Sequence, residues 1–249
     1  MSGHSKWATI KHKKGAQDKA RGKLFAKLIR QVEVAAREGG GDINANATLR
    51  TMFAKARESS VPLDTIERAI KRGTGELDGV RYEAINYEGY GPGGIAVIVE
   101  CLTDNRNRTG ADVRSIFSKS GGSMAEPGAV SWQFERKGVV AVDRSADEDS
   151  LTLVALESGA EDVNDLGDQW QVVCAPGDLA ALRAGLEEGE FAVAEAELVM
   201  LPTSTIDISD ENEARKVLKL IDALEDNDDV QNVYSNFDIP DSILEAASM

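Results

Sequence analysis

The order of predicted strands and helices is the feature of this chain that most constrains its fold. Between residues 135 and 202 the hydrophobic pattern predicts a strand, a helix, two strands, a helix and a strand, which is the βαββαβ order of a ferredoxin-like unit. These elements are predicted at residues 139–142, 148–158, 161–166, 169–174, 177–187 and 193–199. The middle of the chain therefore predicts one complete α+β domain.

The segments on either side each contain half of such a unit. A strand, a helix and a strand are predicted before it at 95–102, 108–120 and 129–135, and a strand at 203–208, a helix capped by Asp210 and a strand at 230–237 are predicted after it. Joined together, the two halves complete a second βαββαβ order. We therefore predict that residues 135–202 are inserted into a discontinuous domain of residues 77–134 and 203–249. The alternative is three serial α/β modules, two of which would lack a full sheet.

Charge is distributed very unevenly along the chain. Residues 1–72 contain 16 Lys and Arg against 7 Asp and Glu, a net charge of +9, whereas the other 177 residues contain 12 against 36, a net charge of -24. This separation predicts a head that is attracted to a polyanion and a body that is repelled by one. The alternative is that the basic segment is a solvated tail that only improves solubility.

A helical pattern from Asp18 to Gly39 arranges part of this positive charge on one side. At about 100° per residue, Lys19, Lys23, Lys27, Arg30 and Arg37 lie within an arc of about 80°, opposite an apolar stripe. We call these five residues the basic face. Like charges four residues apart repel each other, so the pattern favours an anion beside the helix. We expect that changing Lys23, Lys27 and Arg30 to Glu weakens nucleic-acid binding and leaves stability almost unchanged.

Two shorter amphipathic segments follow and complete the head. Apolar residues from Leu49 to Ala56 and from Leu63 to Ile70 repeat with helical spacing, and Pro62 and Gly73 bound the second of them. Residues 1–76 therefore predict a three-helix bundle, preceded by a mobile basic arm over residues 1 to about 17.

The sequence contains no pattern typical of a catalytic or metal site. The Gly89-x-Gly91-x-x-Gly94 pattern precedes a strand rather than a helix, so it predicts a hairpin turn and not a dinucleotide site. The only histidines are His4 and His12, both in the arm. The acidic stretch EDNDDV at 225–230 lacks the Gly and Glu of a calcium loop and predicts a helix end that runs into a solvated turn. We therefore expect a protein that is not an enzyme and has no metal or cofactor.

The sequence leaves the role of two arginines in the body open. Arg106 and Arg108, in the basic stretch TDNRNRT at 103–109, either contact phosphate or screen the acidic surface.

Cys101 and Cys174 have no nearby cysteine partner and predict buried thiols in a reducing compartment. The N-terminus lacks an apolar signal region, and no apolar stretch is long enough to span a membrane, so we expect a cytoplasmic protein without a membrane partner.

Several longer stretches carry a resemblance to a known family. They include GHSKWATIKHKKGAQDKARGKLFAKLIR, VPLDTIERAIKRG, YEGYGPGGIAVIVECLTDNRNRT, SGGSMAEPGAVSWQFERKGVV and LIDALEDNDDVQNVYSNFDI. The chain resembles, nearly end to end, the YebC/PmpR family of probable transcriptional regulatory proteins, whose mitochondrial relatives are translational activators. The resemblance implies an α+β fold: an N-terminal three-helix bundle plus two interleaved ferredoxin-like α+β domains. It also implies a non-enzymatic cytoplasmic role.

The resemblance and the charge pattern together predict a nucleic-acid-binding regulator. Its DNA-binding, transcriptional form leads through the family, and a ribosome- or RNA-associated translation factor that relieves stalled synthesis is the alternative. A protein adaptor that uses its acidic surface is a third hypothesis. The predicted nucleic-acid-binding residues are Lys6, Lys11, Lys13, Lys14, Lys19, Arg21, Lys23, Lys27, Arg30 and Arg37. Such side chains bind phosphate without reading bases, so we expect little sequence selectivity and no small-molecule substrate.

Overall fold

Three helices form the head. The computed structural model describes the backbone of residues 17–240 and 242–244 and the side chains from residue 22 onward, so the predicted arm lies outside the described residues. The helices are α1 (Gln17–Gly39), α2 (Ala47–Glu58) and α3 (Leu63–Thr74). The Asn46 side chain accepts a hydrogen bond from the Leu49 N–H and so caps the start of α2. The predicted three-helix bundle is confirmed.

The apolar stripe of α1 forms the core of this bundle. Leu28 and Val32 on α1 pack with Leu49 of α2 and Ile66 of α3, and all four are buried. Gly73 allows α3 to approach α1 closely, because an added Cβ would lie 2.4 Å from the Glu33 main-chain oxygen.

From residue 83 onward the chain alternates strands with helices. In chain order these are β1 (Glu83–Tyr90), β2 (Ala96–Thr103), α4 (Arg106–Lys119), β3 (Ser123–Ala125), β4 (Phe134–Asp143), α5 (Glu148–Glu157), β5 (Ala160–Asp165), β6 (Gln169–Cys174), α6 (Leu179–Glu188), β7 (Val193–Pro202), β8 (Ile206–Asp207), α7 (Glu211–Glu225), β9 (Val230–Ser235) and β10 (Phe237–Asp238). Short 3₁₀ turns lie at Pro92–Gly94 and Ser131–Gln133.

The second half of this region contains a four-stranded antiparallel sheet of order β5-β6-β4-β7. Helices α5 and α6 bury Leu151 and Leu182 against it, together with Val140 and Trp170 of the sheet. The order of elements and the order of strands are those of a ferredoxin-like unit, as predicted.

The other large sheet, of order β3-β1-β2-β9, combines strands from separate parts of the chain. Helices α4 and α7 cover one of its faces, where Phe117 and Leu220 pack on Val97 and Val99. The helix capped by Asp210 is confirmed, since its carboxylate accepts a hydrogen bond from the Glu213 N–H at 2.8 Å. It remains a prediction that residues 77–134 and 203–249 form one domain that unfolds cooperatively and that residues 135–202 form another.

One strand of this sheet differs from the prediction. Residues 203–208 were predicted as one of the strands of the second βαββαβ unit, but this sheet contains β1 instead, and β8 pairs with β10 in a two-stranded sheet. The reason is local: β1 and β2 form a hairpin joined by a tight turn, which costs little chain entropy to close. The turn predicted at Gly89–Gly94 is confirmed, with Gly93 and Gly94 at positive φ.

The strand predicted at 129–135 is also wrong. Its first residues form the 3₁₀ turn, and β4 begins only at Phe134. The carboxylate of Glu88 explains the difference, because it accepts hydrogen bonds from the N–H groups of Gly128, Val130 and Ser131. These main-chain donors are satisfied by a side chain and are unavailable to a sheet.

Candidate nucleic-acid interface

The predicted binding residues fall into three groups in the structure. Lys6, Lys11, Lys13 and Lys14 lie outside the described residues. Lys19 and Arg21 lie on α1, in the part whose side chains are not described. The contacts of the remaining four, Lys23, Lys27, Arg30 and Arg37, are described.

Two lysines of the basic face contact the C-terminal end of α7. The Lys23 ammonium donates to the Asp226 carboxylate at 2.8 Å and to the Asp226 main-chain oxygen at 2.9 Å. The Lys27 ammonium donates to the Glu225 main-chain oxygen at 3.1 Å. Helix C-termini carry unsatisfied carbonyl groups and a partial negative charge, and both attract cations. The end of α7 therefore occupies these two lysines.

Arg30 extends the same contact to the following turn. Its guanidinium donates to the Asp228 main-chain oxygen and, at 3.2 Å, to the Asp229 carboxylate. It also lies 5.3 Å from the centre of the Tyr82 ring. We call residues 225–229 the acidic segment. Three members of the basic face thus bind the acidic segment of the same chain.

Asp229 is the most deeply buried part of the acidic segment. Only 5% of the residue is exposed, and its carboxylate accepts hydrogen bonds from Arg108 at 2.7 Å, Thr109 at 2.7 Å and Thr103 at 3.3 Å as well as from Arg30. Burial opposes its ionisation, but the bonds from Arg108 and Thr109 outweigh burial and hold the pKa of Asp229 below its usual value. The prediction of a solvated turn is therefore wrong at this residue, because the turn is the docking point for two arginines.

Arg37, at the far end of the basic face, is held within the head. It donates to Glu33 at 3.4 Å and to the Val80 main-chain oxygen at 3.1 Å. Arg72 of α3 donates to the same Glu33 carboxylate at 2.8 Å, and Glu33 is only 2% exposed. Arg37 therefore helps to neutralise a buried carboxylate.

A second contact links the head to the other sheet. The Lys55 ammonium of α2 lies 2.9 Å from Glu197 and 3.2 Å from Glu195, both on β7. Burial of Lys55 opposes its charge, yet the two carboxylates prevail and raise its pKa. Part of the charge separation seen in the sequence is thus used inside the molecule, to attach a basic head to an acidic body.

Arg106 and Arg108, whose roles the sequence left open, have different surroundings. Arg108 pairs with Asp104 at 2.8 Å and with Asp229 at 2.7 Å, so it neutralises acidic groups. Arg106 lines an open groove instead. Between the head and the body, a polar cavity of about 360 Å³ is lined by Arg30, Tyr82, Asp104, Arg108, Asp112, Asn227, Asp228 and Asp229.

The sequence interpretation missed the partners of the basic face. Tyr82 carried no pattern that marked it, whereas Asp229 belongs to the acidic stretch at 225–230 that the sequence did mark. Its charge is complementary to that of Lys23, Lys27 and Arg30, so matching the most basic helix with the most acidic turn was the available signal.

The described chain shows neither a metal centre nor a membrane helix. Among residues with described side chains, no three His, Cys, Asp or Glu residues are grouped so as to hold a metal ion. No helix within the described ranges is long and apolar enough to cross a membrane. Cys101 and Cys174 are buried free thiols, as predicted, and burial raises the pKa of Cys101 to about 12.

The fold and the head define a class of protein: a three-helix bundle attached to two α+β sheets, with carboxylates of the body holding cations of the head. Residues 5–76 match the family described as TACO1/YebC protein N-terminal domain, and residues 82–237 match TACO1/YebC second and third domain. The chain belongs to the TACO1/YebC family.

Relatives and a solved structure agree with this assignment. A probable transcriptional regulatory protein of Thermobifida fusca is 56% identical over 246 residues, which cover 98% of each chain. A protein of the same name from Syntrophobacter fumaroxidans is 52% identical, over 98% of this chain and 99% of its own. The crystal structure of a conserved hypothetical protein from Aquifex aeolicus, 45% identical, superposes with a TM-score of 0.85 over 93% of this chain and 96% of that one. Two of these relatives are thus named probable transcriptional regulatory proteins.

Proposed function

We propose that the protein is a cytoplasmic, non-enzymatic regulator of transcription that binds DNA through its basic head. The observation that carries this proposal is the charge of +9 on residues 1–72 of a chain whose total charge is -15. The names of its relatives support the transcriptional role. Phosphate contacts by Lys and Arg provide affinity without sequence information, so an additional factor would select the target.

The contacts of the basic face divide the proposed binding residues into two sets. Six cations, Lys6, Lys11, Lys13, Lys14, Lys19 and Arg21, precede the part of α1 that contacts the acidic segment. We infer that these six bind phosphate first. Lys23, Lys27 and Arg30 bind phosphate only if the acidic segment releases them, because their donors already contact it. Arg37 contributes through long-range attraction while it stays paired with Glu33.

The test compares an arm variant with a matched control. Changing Lys11, Lys13 and Lys14 to Gln removes three charges from the arm, and changing the exposed Lys119, Lys216 and Lys219 to Gln removes three outside the head. If the three arm residues contact duplex phosphates, the slope of log K against log salt becomes shallower by about 2.7, at about 0.9 per contact. The control should retain the parental slope. Binding by fluorescence anisotropy, with duplex DNA and with purified ribosomes, measures both.

Two outcomes would contradict the proposal. Equal slopes for the arm variant and the control would show that the arm makes no specific phosphate contacts. Tight binding to ribosomes at physiological salt, together with micromolar or weaker binding to DNA, would instead identify a ribosome-associated translation factor.

A further inference from the structure

An open groove lies between α4 and the strands β1 and β3. It has a volume of about 790 Å³, and Arg106 and Arg114 lie along it. Gly110 is between them on the same row of the helix, where successive residues four apart share a face. Tyr87 lies opposite Gly110, since a Cβ there would be 3.2 Å from the Tyr87 hydroxyl oxygen and 3.5 Å from its ring. The absence of a side chain at 110 therefore keeps the groove open between the two arginines.

The two arginines of the groove differ from the third arginine of this helix. Among the described residues, neither Arg106 nor Arg114 has an ion-pair partner, whereas Arg108 has two. Helix α4 contains three Arg and one Lys against one Asp, in a body with a net charge of -24. Two exposed, unpaired guanidinium groups about 12 Å apart along one helix form a local positive patch in an acidic region.

The floor of the groove is mainly apolar and aromatic, whereas its rim is positively charged. Ile85, Tyr87 and Met124 supply apolar and aromatic surface from β1 and β3, and Asn107 and Ser115 supply polar groups from α4. The Tyr87 hydroxyl donates to the Arg106 main-chain oxygen at 3.1 Å, which fixes the ring. Strand β3 pairs with β1 only at Glu88–Tyr90, so the first half of β1 is not covered by it.

We propose that this groove binds a single nucleic-acid strand, with Arg106 and Arg114 on its phosphates and Tyr87, Ile85 and Met124 against its bases. A positive rim over an aromatic and apolar floor is the arrangement by which proteins bind single strands. This inference rests on the proposed function, because it assumes that nucleic acid is the ligand. It adds to the proposed function a second contact with nucleic acid, outside the basic head, and a preference for single strands over duplexes.

The chemistry of the groove favours this ligand over two others. A duplex stacks its bases inside and presents mainly phosphates, so it leaves the apolar floor without a partner. An acidic peptide would satisfy the two arginines, but it has no bases to stack on the ring of Tyr87. A single strand satisfies both the rim and the floor.

The position of the groove allows one molecule to contact it and the head. Arg108 lies two residues from Arg106 and, through Asp229, shares a carboxylate with Arg30 of the basic face. Arg106 of the groove and Arg30 of the basic face are therefore connected through Arg108 and Asp229.

The experiment changes Arg106 and Arg114 to Gln in the full chain and measures binding of labelled oligo(U) and of duplex DNA. Both side chains are exposed and have no described ion pair, so the melting temperature should match that of the parent. We expect affinity for oligo(U) to fall about tenfold and its salt slope to become shallower by about 1.4, at about 0.7 per contact. Affinity for the duplex should change much less. The Arg-to-Lys double variant should recover part of the oligo(U) affinity, since charge remains while the bidentate geometry is lost.

Changing Lys216 and Lys219 to Gln on α7 provides a control with the same change in charge. An equal loss of oligo(U) affinity in this control and in the groove variant would overturn the proposal, because the effect would be one of net charge alone. Parental affinity and slope in the groove variant, with binding lost in the arm variant, would overturn the groove but leave the proposed function intact. No binding of any nucleic acid by the parent would overturn both.

Discussion

Asp229 is the residue at which the head, α4 and the acidic segment meet. One carboxylate accepts hydrogen bonds from two arginines that belong to different parts of the chain, Arg30 and Arg108. A buried carboxylate with several charged donors is costly to leave unpaired or to neutralise. The contacts of Arg30 and Arg108 at this position therefore depend on the ionised form of Asp229.

Changing Asp229 to Asn should reduce the free energy of unfolding by about 1–3 kcal/mol at neutral pH. The lower end of that range is favoured because the Arg108 side chain is 47% exposed and its bond is screened by water. The asparagine keeps the shape but loses the charge and one acceptor oxygen. Urea unfolding measures the change, with Asp228→Asn as the control, since Arg30 contacts only the main-chain oxygen of Asp228.

The same variant should show a defined dependence on pH. The pKa of Asp229 is lower in the folded protein than in the unfolded chain, so its contribution is complete above the unfolded value, about 3.9, and is lost as pH falls through the folded value. The difference in stability between parent and Asp229→Asn should therefore be constant above about pH 5 and should shrink below about pH 4. A difference that persists unchanged in acid would show that shape, rather than charge, is responsible.

At the scale of elements, the decisive contact is between α1 and the C-terminal end of α7. The sequence predicted that reversing Lys23, Lys27 and Arg30 would leave stability almost unchanged, because these residues lie opposite the apolar stripe. Their bonds to the acidic segment contradict that expectation. Charge reversal would place three carboxylates beside the acidic segment and destabilise the docked head, so it does not isolate the effect on nucleic-acid binding.

Neutralising the acidic segment isolates that effect better. Asp226 and Asp228 are exposed, and changing both to Asn removes the ion pair of Lys23 with Asp226 and one further negative charge of the acidic segment, without exposing a buried charge. If nucleic acid competes with the acidic segment for Lys23 and Arg30, affinity for duplex DNA at low salt should rise several-fold. Changing Glu188 and Glu190 to Gln removes the same charge at the end of α6 and serves as the control. Equal affinities for the two variants would exclude competition.

At the scale of the whole molecule, the two sheets have separate cores but share a boundary. Val140 and Trp170 belong to one core and Val97 and Phe117 to the other. A smaller apolar cluster, with Ile98, Phe134 and Tyr234, packs against Val199 and Met200 of β7 at the boundary. The nested arrangement therefore remains a prediction about whether each part unfolds as a unit.

Excising residues 135–202 tests that prediction. Phe134 and Pro202 are paired across β4 and β7, so the ends of the excised segment are about 5 Å apart and a short Gly/Ser linker can replace it. We expect a folded remainder with one cooperative thermal transition, at a lower Tm than the parent because Ile98 and Tyr234 lose their cover. Loss of near-UV circular dichroism with retained helix would indicate a molten remainder, and it would count against the nested domains.

The sequence alone determined the elements whose signals are local. Helical periodicity and capping residues located α1, α2, α3 and α7, and two of the hairpin-turn glycines have positive φ in the structure. Alternation of strands and helices predicted the unit formed by β4 to β7. These signals depend on residues within about one or two turns of each other, so they can be recognised without knowledge of the fold.

Only the tertiary structure decided which distant groups meet. It placed β1 rather than residues 203–208 in the sheet with β2 and β9, and it brought the acidic segment onto Lys23, Lys27 and Arg30. It also separated Arg108, which is paired, from Arg106, which lines the groove. Strand order and ion pairing depend on contacts between residues that are often more than a hundred positions apart. Periodicity tells which side of a helix is charged, whereas the partner of that side depends on how the elements pack.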